Sequence, residues 1–354
     1  MSATSAESPT PSVSSPERLA SWMDTAGLAP GAPLTIKYIS GGSQNEIYEV
    51  VRGDSVRAVL RIPPATAYPE RDDGILREYR IISALDGTDV PHTPAIAVCE
   101  DKSVLGRTFY LMGFVDGWSP MQTRRTWPEP FQSDIFQRRG LSFQLIEGIA
   151  LLSRVDWRSR GIAGLGRPDG FHERQVDRWT AFLSRFKGRD LPGWDEAALW
   201  LRTHKPLDYI PGIMHGDYQF ANVMFRHGGP ARLAAMVDWE MGTVGDPKLD
   251  LAWVIQSWPE DTSGGDGSVG GYVDLTGMPS RAELLSHYAS VSGRQVDDID
   301  YYNILARWKL GTVLEQTYQH AGDSGKAASF GPIAESLTRG AAELAASTGY
   351  DHKG

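Results

Sequence analysis

Asp217, Asn222 and Asp238 are side chains of the kinds, and at the intervals, that phosphoryl transfer uses. Such a transfer needs one carboxylate to orient or deprotonate the attacking hydroxyl. It also needs an amide oxygen and one or two carboxylates to hold magnesium against the phosphates. Asp217 lies in the loop Met214-His215-Gly216-Asp217-Tyr218-Gln219-Phe220-Ala221-Asn222, ahead of a short apolar strand, Val223-Met224-Phe225. A loop held by rigid elements is where a side chain can meet substrate. Asn222, five residues on, is close enough on a tight loop to turn toward the same region. Asp238 ends the apolar run Ala234–Val237, so its carboxylate can project from a strand as a metal ligand. Glu240 stands two residues further, on the same side of an extended segment, and is a candidate second oxygen.

The neighbouring polar residues have simpler readings. His215 is expected to brace the loop backbone, since no second histidine stands at metal-ligand spacing. Asp246-Pro247 reads as a helix start, with Asp as cap and Pro at the first helical position. Asp250 sits on the apolar helix Leu249-Asp250-Leu251-Ala252-Trp253, and a buried acid needs partners. Hydrogen bonds from the loop backbone would supply them. A serine hydrolase is disfavoured, because no G-x-S-x-G elbow occurs.

These residues need elements to position them. Leu34, Ile36 and Tyr38, and then Ile47, Glu49 and Val51, alternate as strands do. Between them Gly41, Gly42, Ser43, Gln44 and Asn45 form a hairpin able to turn backbone N–H groups toward phosphates, or a plain turn. Val56–Ile62 is a third strand, stopped by Pro63-Pro64. Asp72–Leu85 reads as a helix with Ile75, Leu76, Tyr79, Ile82 and Leu85 on one face and Glu78 elsewhere. Three strands and a helix in this order match a kinase amino-terminal lobe, in which a cation on the third strand meets phosphates and a helix glutamate holds it. Arg61 and Glu78 are the candidates.

Ala95–Cys99 and Thr108–Val115 add two strands, and the second ends where a linker could offer backbone to an adenine edge. From Gly117 the chain reads as helical. Ser133–Val155, with Phe136, Leu141, Leu145, Ile149 and Leu152 available to the core, is followed by Phe171–Phe186 and Trp194–Arg202. After the central stretch come Leu249–Trp258, a Gly/Ser/Asp-rich loop over Pro259–Gly277, and helices over Ser280–Ser292, Val296–Gln319 and Gly331–Ala346. The expected division is a disordered tail over 1–15, a nucleotide-binding lobe over 16–116 and a catalytic and substrate-binding lobe over 117–354.

At 354 residues, 41% hydrophobic and 22% charged, the chain can build one large or two modest cores. A net charge of −9 argues against a broad nucleic-acid surface. The one cysteine, Cys99, excludes an internal disulfide and reads as a buried, inert thiol. No run is apolar enough to span a membrane, and the Ser/Pro/Thr-rich start lacks the apolar stretch of a signal peptide. A cytoplasmic protein is expected.

His215-Gly216-Asp217 with Asn222, then Val237-Asp238-Trp239-Glu240, then Gly245-Asp246-Pro247 with Asp250 together resemble the aminoglycoside phosphotransferase-like (choline kinase-like) family of small-molecule kinases. The resemblance runs from about Leu34 to near Gln319. Arg61-Ile62-Pro63-Pro64 and Glu173-Arg174-Gln175-Val176 make it look most like the branch associated with acyl-CoA dehydrogenases. It implies an α+β, two-lobed protein-kinase-like fold: a small antiparallel-sheet lobe with one main helix, and a larger, mostly helical lobe. It implies ATP- and Mg²⁺-dependent phosphorylation of a small-molecule hydroxyl; the charge and hydropathy above lead to the expectation of no nucleic-acid or membrane partner. By motif position, Asp217 is the catalytic base or orienter. Asn222 and Asp238 bind magnesium with Glu240 as help, and Arg61 contacts phosphate with Glu78 as partner. Gly113 and Val115 offer backbone to adenine, and Met112 flanks the ring.

This chain departs from the pattern at two positions: Arg61 where many relatives have Lys, and Ser153 where many have His. The branch suggests a hydroxyacyl-CoA or related metabolite as acceptor, and the family name suggests an aminoglycoside or other antibiotic. A nucleotide-binding scaffold without catalysis is the non-enzymatic alternative. A protein kinase is disfavoured, because D-F-G, A-P-E and G-x-G-x-x-G are absent.

Overall fold

The computed structural model describes residues 13, 15–41, 45–123, 125–186, 188–260, 262, 273–321 and 328–348. The expected tail at 1–15, apart from Val13 and Ser15, lies outside the described residues, as do Gly42, Ser43 and Gln44 and most of the loop expected over Pro259–Gly277. The chain divides into two compact units, one taking residues up to Asp116 together with Val237–Glu240, the other the remainder.

The first unit is built on a five-stranded antiparallel sheet. Helix α1 (Pro16–Thr25) precedes β1 (Leu34–Gly41), β2 (Glu46–Arg52) and β3 (Val56–Ile62). Helix α2 (Arg71–Leu85), β4 (Ala95–Cys99), the short α3 (Lys102–Leu105) and β5 (Phe109–Gly113) follow, and the sheet order is β1-β2-β3-β5-β4. Its core face carries Tyr48, Val50, Leu60 and Leu111, covered by Leu19 and Met23 of α1. The buried parity on β2 is therefore Tyr48 and Val50, not the expected Ile47, Glu49 and Val51, which are half-buried. Each parity mixes apolar and charged residues, Glu46, Tyr48, Val50 and Arg52 against Ile47, Glu49 and Val51, so alternation alone did not choose between them.

Strand β3 puts Ala58, Leu60 and Ile62 into this core, each fully buried, and so turns Arg61 to the opposite face. Arg61 is in register with Tyr110 of β5. Helix α2 buries Asp72, Ile75, Glu78, Ile82 and Leu85, at three- and four-residue spacing. Glu78 is thus on the buried face of α2, contrary to expectation, because Arg61 and Tyr110 are there to receive it. The start of α2 is fixed by Arg107, which donates to Asp72 Oδ1 at 2.9 Å and to the carbonyls of Pro64, Ala67 and Tyr68 at 3.0, 2.8 and 2.9 Å.

The second unit is mainly helical. Its elements are α4 (Ile135–Arg154), α5 (Phe171–Leu183), α6 (Trp194–Thr203), β6 (Gly212–Met214), β7 (Val223–Phe225), β8 (Leu233–Met236) and β9 (Thr243–Gly245). Helices α7 (Lys248–Ile255), α8 (Arg281–Ser292), α9 (Ile299–Ala321) and α10 (Phe330–Ser347) complete it. Strand β6 pairs with β9, and β7 with β8, so two small antiparallel ribbons bracket the loop that carries Asp217. Helix α4 starts at Asp134, whose carboxylate accepts the N–H groups of Phe136 and Gln137. It buries Leu141, Leu145, Ile149 and Leu152, but Phe136 is 86% exposed: in the first turn it falls off the apolar stripe and does not join the core. Among the described residues no helix is long and apolar enough to cross a membrane.

Candidate active site

The loop between β6 and β7 is fixed from two sides. Asp250, in the first turn of α7 and 2% exposed, accepts the backbone N–H of His215 at Oδ2, 2.6 Å, and that of Gly216 at Oδ1, 2.9 Å. This is the role anticipated for it. Burial pushes the Asp250 carboxyl up to about 6, against the pull of the two N–H donors and of Lys309. Gly216 has φ +86°, and a Cβ there would stand 2.4 Å from the Met241 carbonyl oxygen, so the turn requires glycine. His215 is fully buried and meets the Tyr218 ring edge-on at 5.6 Å, in keeping with a bracing role. The Tyr218 hydroxyl donates to the Leu145 carbonyl of α4 at 2.8 Å.

These anchors present Asp217. Its Oδ1 accepts N–H donors from Gln219 at 2.9 Å and from the Trp253 indole at 3.0 Å, and its Oδ2 accepts from Asn222 at 2.9 Å. Asn222 also donates Nδ2 to the Asp217 carbonyl at 2.8 Å. Both amide hydrogens of Asn222 are therefore spent on Asp217, and its amide oxygen is the group left for a cation. Trp253 and Gln219 were not singled out from the sequence. The available signal was spacing: Trp253 stands three residues after Asp250 and shares its helix face.

Asp246 does more than begin a helix. It is fully buried and accepts from Lys248 N at 3.1 Å, from His172 Nε2 at 2.9 Å and from the Tyr302 hydroxyl at 2.5 Å. The helix itself starts one residue later than expected, at Lys248 with Pro247 as its cap.

In the first unit Arg61 joins two acids. Its Nε donates to Glu78 Oε2 at 2.9 Å and its Nη2 to Asp238 Oδ1 at 2.6 Å, while Tyr110 donates its hydroxyl to Glu78 Oε2 at 3.1 Å. Burial pushes Glu78 up to about 7, against the attraction of Arg61. Burial also acts to lower Arg61, but Glu78, Tyr110 and Asp238 more than offset it, and the guanidinium ends above its ordinary value.

Asp238 has φ +68°, a left-handed conformation that Asp tolerates better than most residues. Trp239–Met241 then forms a 3₁₀ turn. The extended segment expected to place Glu240 beside Asp238 is thus absent, and Glu240 instead lies 4.0 Å from Arg71. Met112 and Gly113 end β5, and Val115 follows half-buried. The Gly113 N–H donates to the Pro94 carbonyl at 2.8 Å, so only its carbonyl can serve an adenine edge. Of the hairpin candidates, Gly41 ends β1 and Asn45 precedes β2, while Gly42, Ser43 and Gln44 lie outside the described residues.

A cavity of about 410 Å³ opens beside Asp217 in the second unit. Its walls are mostly apolar, with Leu145, Phe220, Trp253, Leu310 and Phe330 among them. Among the described residues lining it, Asp217 is the single carboxylate. Near the start of α9, Asp298 pairs with Lys248 at 2.5 Å and Asp300 accepts from the Thr348 hydroxyl at 3.1 Å.

No group of three or more His, Cys, Asp and Glu side chains able to hold a metal occurs among the described residues. The residues the sequence offers for a cation, Asn222 and Asp238, present only oxygen atoms to it, the donor type that magnesium takes.

The profile described as the Phosphotransferase enzyme family matches residues 35–284. The chain is 29% identical over 295 residues to acyl-CoA dehydrogenase family member 11 of Gallus gallus, covering 82% of this chain but 37% of that protein's length. A crystal structure from Ralstonia eutropha JMP134, of a protein provisionally named an aminoglycoside phosphotransferase, superposes with a TM-score of 0.78 at 28% identity. It covers 93% of this chain and 98% of its own. The streptomycin-ATP-APH(2")-IIa ternary complex shares the fold, with a TM-score of 0.56 at 12% identity over 94% and 99% of the two chains. The α+β kinase-like fold expected from the sequence is the fold of these structures. With the profile spanning most of its length, the chain belongs to the Phosphotransferase enzyme family.

Proposed function

We propose that the protein is an ATP- and magnesium-dependent small-molecule kinase whose acceptor is a hydroxyl on an apolar carbon chain, such as a hydroxyacyl-CoA or a related metabolite. The observation that carries this reading is the Asp217 carboxylate, held by three side-chain donors at the wall of a mostly apolar cavity. Asp217 would orient the acceptor hydroxyl and take its proton as the new oxygen–phosphorus bond forms. The bond from the γ-phosphorus to its bridging oxygen breaks, and ADP leaves. Arg61, braced by Glu78, would meet the phosphates, and the Gly113 carbonyl with the Val115 N–H would face the adenine edge. Asn222 and Asp238 would hold magnesium, which when bound offsets negative charge on the phosphates.

The described lining of the cavity supports the apolar acceptor over an aminoglycoside. An aminoglycoside is a polycation and calls for several acids, whereas Asp217 is the single carboxylate among the described lining residues. An apolar chain gains by burial against such walls. The test is a mass-spectrometric screen of hydroxyacyl-CoAs, free hydroxy acids, aminoglycosides and macrolides with Mg-ATP. Gain of one phosphoryl group by a hydroxyacyl-CoA or hydroxy acid is expected. Phosphorylation of an aminoglycoside alone would overturn the acceptor assignment.

A further inference from the structure

Trp253 touches both halves of this chemistry. Its indole N–H donates to Asp217 Oδ1 at 3.0 Å, and the same side chain lines the cavity. Its backbone lies one helical turn from Asp250, which holds the loop backbone at His215 and Gly216. The Lys309 ammonium stands 5.8 Å from the Trp253 ring centroid and 5.2 Å from that of Trp179, contacts that restrain the indole from the α9 side. A carboxylate on a single-bonded side chain has several rotamers. One set by Asn222 and Gln219, themselves on the loop, moves with the loop; a donor from a separate helix ties it to the scaffold.

We propose that Trp253 is a positioning residue for Asp217 and a specificity wall for the acceptor. The indole N–H fixes the carboxylate, and the ring forms the surface along which the acceptor's carbon chain lies. The assignment rests on the kinase reading above. It makes aiming the carboxylate and shaping the cavity properties of one side chain.

Three variants separate these roles. Trp253→Phe keeps an aromatic wall and removes the donor. Trp253→His restores a ring N–H, and Trp253→Leu removes the flat wall. With the acceptor identified by the screen, Trp253→Phe is expected to lower kcat by on the order of tenfold or more, the loss typical of a hydrogen bond to a charged group. The acceptor KM should stay within about twofold, and Trp253→His should recover part of the kcat. Trp253→Leu is expected to raise the acceptor KM as well.

A second readout does not depend on turnover. In protein labelled with ¹⁵N at the indole nitrogens, the Trp253 N–H resonance, identified by its loss in Trp253→Phe or Trp253→His, should shift in Asp217→Asn. An unchanged kcat in Trp253→Phe, or a raised KM with kcat intact, would overturn the positioning role. So would an indole resonance indifferent to Asp217→Asn, a measurement made with Trp253 in place even if the Phe variant does not fold. If the wild type phosphorylates none of the screened acceptors, the kinase reading has failed, and the resonance alone decides whether Trp253 holds Asp217.

Discussion

Arg61 Nη2 donates to Asp238 Oδ1 at 2.6 Å while its Nε holds Glu78 at 2.9 Å. The guanidinium fork can face two carboxylates in different directions, and a lysine ammonium is a point charge on a flexible stem. Arg61→Lys is therefore expected to keep one ion pair and lose the bridge. Isothermal titration should show Mg-ATP binding weakened several-fold but present. Arg61→Met should abolish that binding and also destabilise the fold, because it leaves Glu78 buried without its cation. Unchanged Mg-ATP affinity in Arg61→Met would remove Arg61 from the nucleotide site.

Asp250→Asn tests how far the loop depends on one buried acid. The carboxylate uses one oxygen for His215 N–H and the other for Gly216 N–H. The amide turns an N–H₂ toward one of these donors, leaving it without an acceptor, at a cost of about 1–3 kcal/mol. Denaturant melts should show that loss, and kcat should fall as Asp217 loses its fixed backbone. A variant with wild-type stability and kcat would mean that the loop is held elsewhere.

The framework of the Asp217 loop was legible in the sequence because its parts lie close together along the chain. Asp217, Asn222 and Asp250 fall within one stretch and are joined by hydrogen bonds, and the short strand Val223–Phe225 is found where it was expected. The readings that failed depended on distant partners or on backbone angles. Glu78 was set apart from the apolar face of α2, and only Arg61 and Tyr110, on other elements, make that buried place tenable for an acid. Glu240 was placed by strand periodicity, which the left-handed Asp238 interrupts. Asp246 read as a helix start because His172 and Tyr302, its buried partners, are 74 and 56 residues away. Trp253 gave no chemical signal because an indole on an apolar helix ordinarily means packing.

Lys309 gives a pH signature. Burial, with Arg178 adding to it and Asp250 opposing it, lowers its ammonium from 10.5 to about 8. Between about pH 8 and 10.5 the unfolded chain then holds more protons at this residue than the folded one, so its contribution to stability rises with pH across that window. Lys309→Met removes the penalty. The variant should be more stable than the wild type at pH 7, by on the order of 1 kcal/mol, and the advantage should shrink as pH rises toward 10.5. Melting curves across that range check it, and an advantage independent of pH would contradict it.

The proposed phosphoryl transfer turns on the Asp217 carboxylate acting on a bound acceptor. The most direct measurement compares Asp217→Asn with the wild type for turnover of the acceptor identified by the screen and, separately, for Mg-ATP affinity by titration calorimetry. The amide keeps the size and one acceptor oxygen but cannot take a proton. In Asp217→Asn, kcat is expected to be lower by on the order of a hundredfold or more, with Mg-ATP affinity within a few-fold of wild type. Turnover that survives the substitution would contradict it, and would move the chemistry to another residue.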